Sequence, residues 1–200
     1  MASKYQKSEN NLESNIQSDF EPSIGKVGVL GSGLMGHGIA CVSALAGIEV
    51  ILVDTTKEQA EFGFSKIKQI LQKRVDKKTL TEKDFNTILS RIFTTSNYED
   101  LSSCELIIEA VFENKDLKKQ VTIKAESVIK TDTIFASNTS TIPITELAKN
   151  SNRPKQFIGL HFFSPVDRMK LVEIIKGKKT SKRTLSKAYN YVLSLKKTPI

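Results

Sequence analysis

Short apolar runs recur along this chain from residue 26 onward, and longer stretches of mixed polarity separate them. Seven runs have the length of a strand: "KVGVL", "VILVD", "RIFTTS", "ELIIEAV", "TIFAS", "FIGLHFF" and "KLVEII". Continuous runs of this kind are typical of strands that are buried on both faces of a parallel sheet. Because the runs alternate with helical patterns, we predict an α/β fold with a doubly wound, mostly parallel sheet and no internal repeat.

The stretches between the strand candidates predict helices. Residues 34–45 are small and apolar, which lets a helix lie close to a sheet. A long helix is predicted over 57–76, and the Thr of "TEKD" is typical of an N-cap that starts another, so a helical hairpin follows the second strand. Apolar positions share one helix face between 117 and 129. A basic helix is predicted over 181–197, after which "KKTPI" begins a last strand.

The first 25 residues are rich in Ser, Asn, Gln and charge, and we predict a disordered leader or linker there. This segment has no apolar core of a signal peptide, and acidic residues interrupt it, unlike a mitochondrial presequence. No apolar run approaches the roughly 20 residues that span a membrane. We therefore expect a cytoplasmic protein with one domain over residues 26–200.

The chain of 200 residues carries a formal net charge of +8, and much of the excess lies late, in "KGKKTSKR" and at three later lysines. A basic excess is compatible with nucleic acid or with a polyanionic small molecule. No aromatic residues interleave with the run, so we expect no nucleic-acid partner and a solvated helix face. Cys41 and Cys104 lie in apolar surroundings without metal-type spacing; we expect buried small side chains and no metal.

"GSGLMGHGIA" follows the first strand candidate and opens a helix. Gly31 allows a tight turn, Gly33 lets the backbone approach a pyrophosphate, and Gly36 lets the helix pack on the strand. The helix N-terminus supplies free N–H groups for phosphates. Asp54 ends the second strand, where a carboxylate accepts a hydrogen bond from a ribose 2′-hydroxyl. This context predicts a Rossmann-like domain that binds NAD rather than NADP, with FAD as the open alternative.

Only two histidines are present, and hydride transfer from an alcohol needs a base. His37 lies in the first turn of the helix beside the pyrophosphate position, so we do not assign it this role. His161 ends a strand, where doubly wound sheets bind ligands, and Glu173 lies in the next apolar strand. A buried acid needs a partner, which makes His161 and Glu173 a candidate dyad, although such pairs also occur in cores.

Two further polar segments follow strands. The hydroxyl and amide groups of "ASNTST" are candidates to bind an alcohol oxygen, or else they form a polar turn in which Ser or Thr caps a helix near Ile144. Glu109 and Glu113, with the nearby Lys118, are either part of the site or simply acids at a helix N-terminus.

Four ordered motifs, "GSGLMGHGIA", "LIIEAVFEN", "IFASNTSTIPI" and "IGLHFFSPVDRMKLVEII", together resemble the NAD-binding domain of L-3-hydroxyacyl-CoA dehydrogenases, most of all the multifunctional fatty-acid oxidation α subunit. The resemblance runs from residue 26 to 200. It implies oxidation of L-3-hydroxyacyl-CoA to 3-ketoacyl-CoA in β-oxidation, with His161 as base, Glu173 as its partner and Ser140 on the substrate's 3-oxygen. It also implies CoA contacts at Lys77 and Ser140, within a CoA-handling hairpin over 57–92. The implied cofactor contacts are Gly31, Gly33, Leu34, Met35, Gly36, Asp54, Glu113, Lys118, Ser140 and Ser164.

Two departures from the family pattern bear on these expectations. Ser164 stands where the simple dehydrogenases usually carry Asn, which favours the multifunctional branch. The family also continues into a helical domain that supplies an Asn, closes the cleft and dimerises, and we expect this domain to be absent from the 200 residues. The alternative function is therefore a module that binds NAD and CoA with little turnover. The resemblance allows hydratase or thiolase partners, and a homodimer only where the helical domain is present.

Overall fold

The computed structural model describes residues 24–200, so nearly all of the predicted leader (residues 1–25) lies outside the described residues. Eight strands form one sheet with the order β3-β2-β1-β4-β5-β6-β7-β8. The first six strands are mutually parallel, β7 is antiparallel to β6, and β8 is parallel to β7. The strand order reverses between β1 and β4, which is the point where doubly wound sheets bind ligands.

The strands closely follow the predicted apolar runs. Their bounds are β1 Lys26–Leu30, β2 Glu49–Val53, β3 Ile92–Thr95, β4 Leu106–Glu109, β5 Ile134–Ser137, β6 Phe157–Phe162, β7 Leu171–Lys176 and β8 Thr198–Pro199. The predicted fold class, a mostly parallel doubly wound sheet, is confirmed.

Six α-helices cover the two faces of the sheet in the described part of the chain. They are α1 Leu34–Leu45, α2 Lys57–Asp76, α3 Glu82–Leu89, α4 Lys115–Glu126, α5 Ile144–Leu147 and α6 Lys182–Ser194. Thr81 caps α3 as predicted, because its side chain accepts a hydrogen bond from the Asp84 N–H. Ser181 and Asn114 cap α6 and α4 in the same way.

The alternation of side chains along each strand divides the core into two layers. Val27, Val29 and Leu52 point to the layer that contains α1, α2, α3 and α6. Ile51 and Ile107 point to the other layer, under α4 and α5. Continuous apolar strands are therefore required, because both faces of the sheet are covered.

The structure corrects three details of the sequence interpretation. Helix α4 ends at Glu126, so Ile129 belongs to the core but not to the helix. Helix α5 begins after Pro143 and has no side-chain cap, so Ser or Thr does not cap it. Lys197 is 8% exposed and donates to two main-chain carbonyls, so this lysine is not part of a solvated face.

The predicted hairpin of α2 and α3 packs against the sheet and does not project from the domain. Ile67 and Leu71 of α2 and Ile88 of α3 are part of the main core layer, so the hairpin is a covering layer of the sheet. Cys41 and Cys104 are buried and unpaired, as predicted, and burial raises the pKa of each thiol to about 12.

Candidate active site

The six parallel strands all end at the same side of the sheet, and the side where the site residues gather is called the carboxyl edge. It is formed by the residues that follow β1, β2, β4, β5 and β6. Most of the predicted site residues lie on these segments or on the first turn of the helix that follows, because their motifs directly follow a strand. Lys77 follows α2, Lys118 lies in α4, and His161 lies in β6 itself. Glu173 arrives differently: it lies in antiparallel β7, where it is the direct register partner of His161.

The glycine loop between β1 and α1 fits a dinucleotide pyrophosphate. Gly31 has a φ of +92°, and its N–H donates to the Val53 carbonyl at 2.8 Å. A Cβ atom on Gly36 would lie 1.7 Å from the Gly31 carbonyl oxygen, so only glycine allows this approach of helix to loop. A Cβ on Gly33 would meet nothing within 4 Å. Open space therefore faces the N-terminus of α1, which has no side-chain cap and presents free N–H groups at Leu34 and Met35.

Asp54 lies beside this loop, at the end of β2. Its Oδ2 accepts hydrogen bonds from the Ser32 N–H at 2.7 Å and the Ser32 hydroxyl at 2.6 Å, and its Oδ1 accepts from the Thr55 N–H at 2.7 Å. Burial opposes ionisation, but these hydrogen bonds outweigh it and lower the pKa of the carboxyl. Asp54 is therefore an anion that both braces the glycine loop and occupies the position predicted for a ribose contact.

A buried ion pair lies on the next strand end. Lys118 and Glu109 each have side chains that are 1% exposed, and Nζ of Lys118 lies 2.7 Å from Oε1 of Glu109. Glu109 also accepts hydrogen bonds from the Val111 N–H at 2.9 Å and the Ser137 hydroxyl at 2.7 Å. Glu109 therefore does more than interact with a helix dipole, because its hydrogen bonds connect β4 to Ser137 of β5 and to Lys118 of α4.

Glu113 joins this pair to the hydroxyl-rich loop after β5. Its Oε1 accepts hydrogen bonds from the Thr139 hydroxyl, the Ser140 N–H and both the N–H and the hydroxyl of Thr141. Its Oε2 lies 3.2 Å from Nζ of Lys118. Burial opposes ionisation of Glu113, but these hydrogen bonds and the Lys118 charge lower its pKa to about 2.

The loop that Glu113 holds leaves Ser140 exposed, and the Ser140 hydroxyl makes no hydrogen bond to another residue within 24–200. Asn138 fixes the same loop to the end of β6, since its Oδ1 accepts from the Phe162 N–H at 2.8 Å. Ser140 and His161 are thus carried by segments that are hydrogen-bonded to each other. Sequence reasoning missed this role of Asn138 and that of Thr139 and Thr141, although their position after a strand was a usable signal.

His161 and Glu173 form the predicted pair, with Nδ1 of the imidazole 2.6 Å from Oε2 of the carboxylate. Because a carboxylate only accepts, Nδ1 carries the proton and Nε2 keeps the lone pair of a base. The Phe163 ring lies against the imidazole, with centroids 4.6 Å apart. The Glu173 side chain is 42% exposed, so the sequence argument from the cost of burying an acid was wrong even though the partner was right.

Lys77 and Ser164 line one cavity of about 360 Å³, together with His37. The cavity lies between the start of α1, the end of α2 and the segment after β6. Lys73 and Arg74 of α2 and Arg168 make its wall basic. Two predicted contacts, one for CoA and one for the cofactor, therefore meet at the carboxyl edge.

The basic run lies elsewhere. Residues 174–200 contain eight Lys or Arg and no Asp or Glu, so they carry the whole net charge of +8. Lys176 is the register partner of Ile158, near the start of β6, and the Ser181 N–H donates to the Lys155 carbonyl. The run from 176 to 183 is thus at the opposite end of the sheet from the carboxyl edge, and CoA phosphates bound at the carboxyl edge do not account for it. Among residues 24–200, none of the helices has the length and apolar character to cross a bilayer.

Both the sequence and the fold of this chain are similar to those of known dehydrogenases. Residues 26–200 match the family described as 3-hydroxyacyl-CoA dehydrogenase, NAD binding domain, which confirms NAD as the cofactor. The structure of (S)-3-hydroxybutyryl-CoA dehydrogenase from Ralstonia eutropha is 39% identical with a TM-score of 0.87, over 89% of this chain and 63% of that one. The dehydrogenase part of multifunctional enzyme 1 from C. elegans is 32% identical with a TM-score of 0.80, over 90% and 41% of the two chains.

The curated relatives are longer proteins. The fatty acid oxidation complex subunit alpha of Psychrobacter cryohalolentis is 42% identical over 177 residues, which are 88% of this chain and 25% of that protein. The chain thus spans about a quarter of the length of the curated relatives it matches. Because the family model matches 175 of the 200 residues, the chain belongs to the 3-hydroxyacyl-CoA dehydrogenase family, whose NAD-binding domain it carries.

Proposed function

We propose that this domain serves the NAD-dependent oxidation of L-3-hydroxyacyl-CoA to 3-ketoacyl-CoA in fatty-acid β-oxidation. The observation that carries the proposal is the His161–Glu173 hydrogen bond of 2.6 Å, on a strand whose end is tied to the Ser140 loop. Nε2 of His161 removes the proton of the 3-hydroxyl group, and Glu173 holds the ring in the required tautomer and stabilises the imidazolium that forms. Bound NAD⁺ supplies the hydride acceptor.

The remaining residues bind and orient. The Ser140 hydroxyl, free of partners within 24–200, donates a hydrogen bond to the 3-oxygen of the substrate. Gly31, Gly33 and Gly36, with the N–H groups of Leu34 and Met35, hold the pyrophosphate of NAD, and Asp54 accepts from the adenosine ribose. Glu113, Lys118 and Ser164 complete the predicted cofactor set, and Lys77 receives a CoA phosphate in the basic cavity.

The test uses NADH and acetoacetyl-CoA. His161→Gln should lower the rate of acetoacetyl-CoA reduction by about 10²–10⁴-fold, the usual effect of a general base, in a protein that includes the flanking parts found in the relatives. The same change should leave the affinity for NADH unaltered. An undiminished rate in the His161→Gln variant would refute the assignment of the base.

A second candidate is favoured by the length of the relatives. If catalysis needs segments that they have beyond the matched quarter, these 200 residues bind NAD and CoA but turn over little. An NADH-oxidation assay on the 200-residue chain decides between the two, since turnover comparable to an intact dehydrogenase excludes the binding module. A hydratase or thiolase partner, a homodimer formed through a helical domain and a cytoplasmic location belong to the first proposal.

A further inference from the structure

Lys197 is a buried lysine whose side chain reaches the segment between β6 and β7. It is 8% exposed, and its Nζ donates hydrogen bonds to the Val166 carbonyl at 2.6 Å and to the Met169 carbonyl at 2.5 Å. Hydrogen bonds from a charged donor are stronger than neutral ones. Val166 also packs against α1, since a Cβ atom on Gly38 would lie 2.8 Å from the Val166 Cβ. Lys197 and α1 therefore both fix the position of residues 166–169.

The main chain holds Lys197 in place on both sides. Lys196 follows the end of α6 with a φ of +56°, the left-handed conformation that ends many helices, and its N–H donates to the Leu193 carbonyl at 2.9 Å. The Thr198 N–H donates to the Lys170 carbonyl at 2.8 Å, which joins the start of β8 to the residue before β7. The backbone of Lys197 is thus anchored, so its ammonium group is a fixed point for the carbonyls that it binds.

Residues 166–169 form a wall between two cavities of about 360 Å³ each. One is the basic cavity that contains Lys77, and the other lies between the ends of α1 and α6. Asp167 and Arg168 line both cavities. A wall with space on each side has few packing contacts to hold it, so its position depends on the hydrogen bonds of Lys197 and on the contact with α1.

Ser164 lies just before this wall and is positioned by other contacts. It follows the end of β6 by two residues, and the Phe162 N–H at that end donates to Oδ1 of Asn138 at 2.8 Å. Arg168 is exposed and lies between the two residues whose carbonyls Lys197 binds. A displacement of the wall would therefore move Arg168 within the basic cavity and leave Ser164 in place. An arginine suits a phosphate there, because its planar guanidinium donates two parallel hydrogen bonds.

We propose that Lys197 is a positioning residue for acyl-CoA, which holds residues 166–169 so that the Arg168 guanidinium meets a CoA phosphate in the basic cavity. Arg168 is the contact, and Lys197 acts through it. The inference rests on the proposed function, because it takes the basic cavity to receive CoA. It gives one lysine of the basic run a role at the carboxyl edge, although the sequence predicts a solvated helix face for that run.

Steady-state reduction of acetoacetyl-CoA by NADH tests the proposal, in a protein that includes the flanking parts found in the relatives. Arg168→Met should raise the KM for acetoacetyl-CoA about tenfold and Lys197→Met about fivefold, with the KM for NADH within about twofold of wild type. Because Lys197 acts through Arg168, the double variant should have the same KM as Arg168→Met alone. Independent effects would instead multiply to about fiftyfold, which would overturn the proposal. A merely structural lysine would lower the folded fraction, which reduces the apparent kcat and leaves KM unchanged.

A substrate without phosphates separates the phosphate contact from a general distortion of the site. The N-acetylcysteamine thioester of acetoacetate has the same reacting group as acetoacetyl-CoA but no phosphate. With this thioester, wild type, Arg168→Met and Lys197→Met should have the same kcat/KM. A loss of kcat/KM with both thioesters would show that Lys197 shapes the reacting centre, and this result would overturn the proposal.

Lys196→Met is the matched control. Lys196 is exposed and lines the second cavity, so its substitution removes the same charge without the two hydrogen bonds and should leave the KM for acetoacetyl-CoA within about twofold of wild type. An equal rise of KM in Lys196→Met and Lys197→Met would show that charge, and not the held wall, is responsible.

Gly38→Ala displaces the same wall through α1 if Lys197→Met does not fold. Because its Cβ would lie 2.8 Å from the Val166 Cβ, it should also raise the KM for acetoacetyl-CoA, and an unchanged KM would contradict the proposal. If wild type does not reduce acetoacetyl-CoA, the proposed function fails. If wild type reduces it and Lys197→Met keeps the wild-type KM, the positioning role alone fails.

Discussion

Substitutions at Gly33 and Gly36 of the dinucleotide loop should affect stability and NADH binding differently. A Cβ on Gly36 would lie 1.7 Å from the Gly31 carbonyl oxygen, which must then retreat by about 1.3 Å to reach the 3.0 Å that real Cβ atoms keep. That carbonyl belongs to a residue whose own N–H is fixed to Val53 at 2.8 Å. Gly33, by contrast, has a φ of −63° and no atom within 4 Å of a built Cβ, so alanine fits there in the free protein.

Gly36→Ala should therefore cost about 3 kcal/mol of unfolding free energy, the upper end of ordinary overpacking, because backbone must move. In a chain of this size that corresponds to a loss of roughly 6–12 °C in melting temperature. Gly33→Ala should change stability by less than about 0.5 kcal/mol. Both variants should weaken NADH binding at least about tenfold, or about 1.4 kcal/mol, one through a displaced loop and the other through a methyl group at the phosphate position.

Thermal unfolding by circular dichroism and NADH fluorescence titration, run on the same preparations, measure the two quantities. The reasoning is refuted if Gly36→Ala melts within 1 °C of wild type, or if Gly33→Ala melts as low as Gly36→Ala. Unchanged NADH affinity in Gly33→Ala would place the pyrophosphate away from the loop.

The other predictions concern hydrogen bonds and charge away from that loop. Because the pKa of Glu113 is lowered to about 2, its ionised form stabilises the fold above pH 4.5, and this contribution is lost as the pH falls toward 2. The difference in melting temperature between wild type and Glu113→Gln should therefore shrink as the pH is lowered from 6 to 2.5. The Ser43 hydroxyl donates to the Ile39 carbonyl, so the buried Tyr191 hydroxyl is the donor in the 2.8 Å hydrogen bond between the two side chains. Ser43→Ala leaves the Tyr191 hydroxyl without its acceptor and should lower the unfolding free energy by about 1–3 kcal/mol in chemical denaturation, against about 1 kcal/mol for Tyr191→Phe. Lys197→Met leaves the Val166 and Met169 carbonyls without their donor and should lower the unfolding free energy by about 1–3 kcal/mol. Lys178 is exposed, so Lys178→Met should lower it by less than about 0.5 kcal/mol in the same measurement.

The distribution of charge separates two surfaces of the domain. The 173 residues that precede the acid-free segment contain as many anions as cations, and the excess lies in the remaining 27. Replacing Lys178, Lys179 and Lys182 with Glu would reverse charge at the end of the sheet away from the glycine loop. Because exposed charges at such separation are screened, NADH affinity at 0.15 M salt should stay within about twofold of wild type.

The sequence by itself determined the order of elements and the cofactor loop. Continuous apolar runs of strand length, separated by amphipathic stretches, are sufficient for a parallel sheet because both of its faces must be covered. The glycine loop could also be predicted, since Gly31, Gly33 and Gly36 lie within six residues between a strand and a helix. His161 and Glu173 were paired correctly because only two histidines were available and one of them ended a strand.

Only the tertiary structure decided how the polar groups share partners. Lys118 is predicted as a cofactor contact, and only the structure shows that its ammonium group is also paired with Glu109 and Glu113. Lys197 belongs to a basic run, yet it is buried against loop carbonyls. A one-dimensional pattern gives the position of a charge along the chain, but hydrogen-bond satisfaction depends on distances between segments that only packing brings within 3 Å.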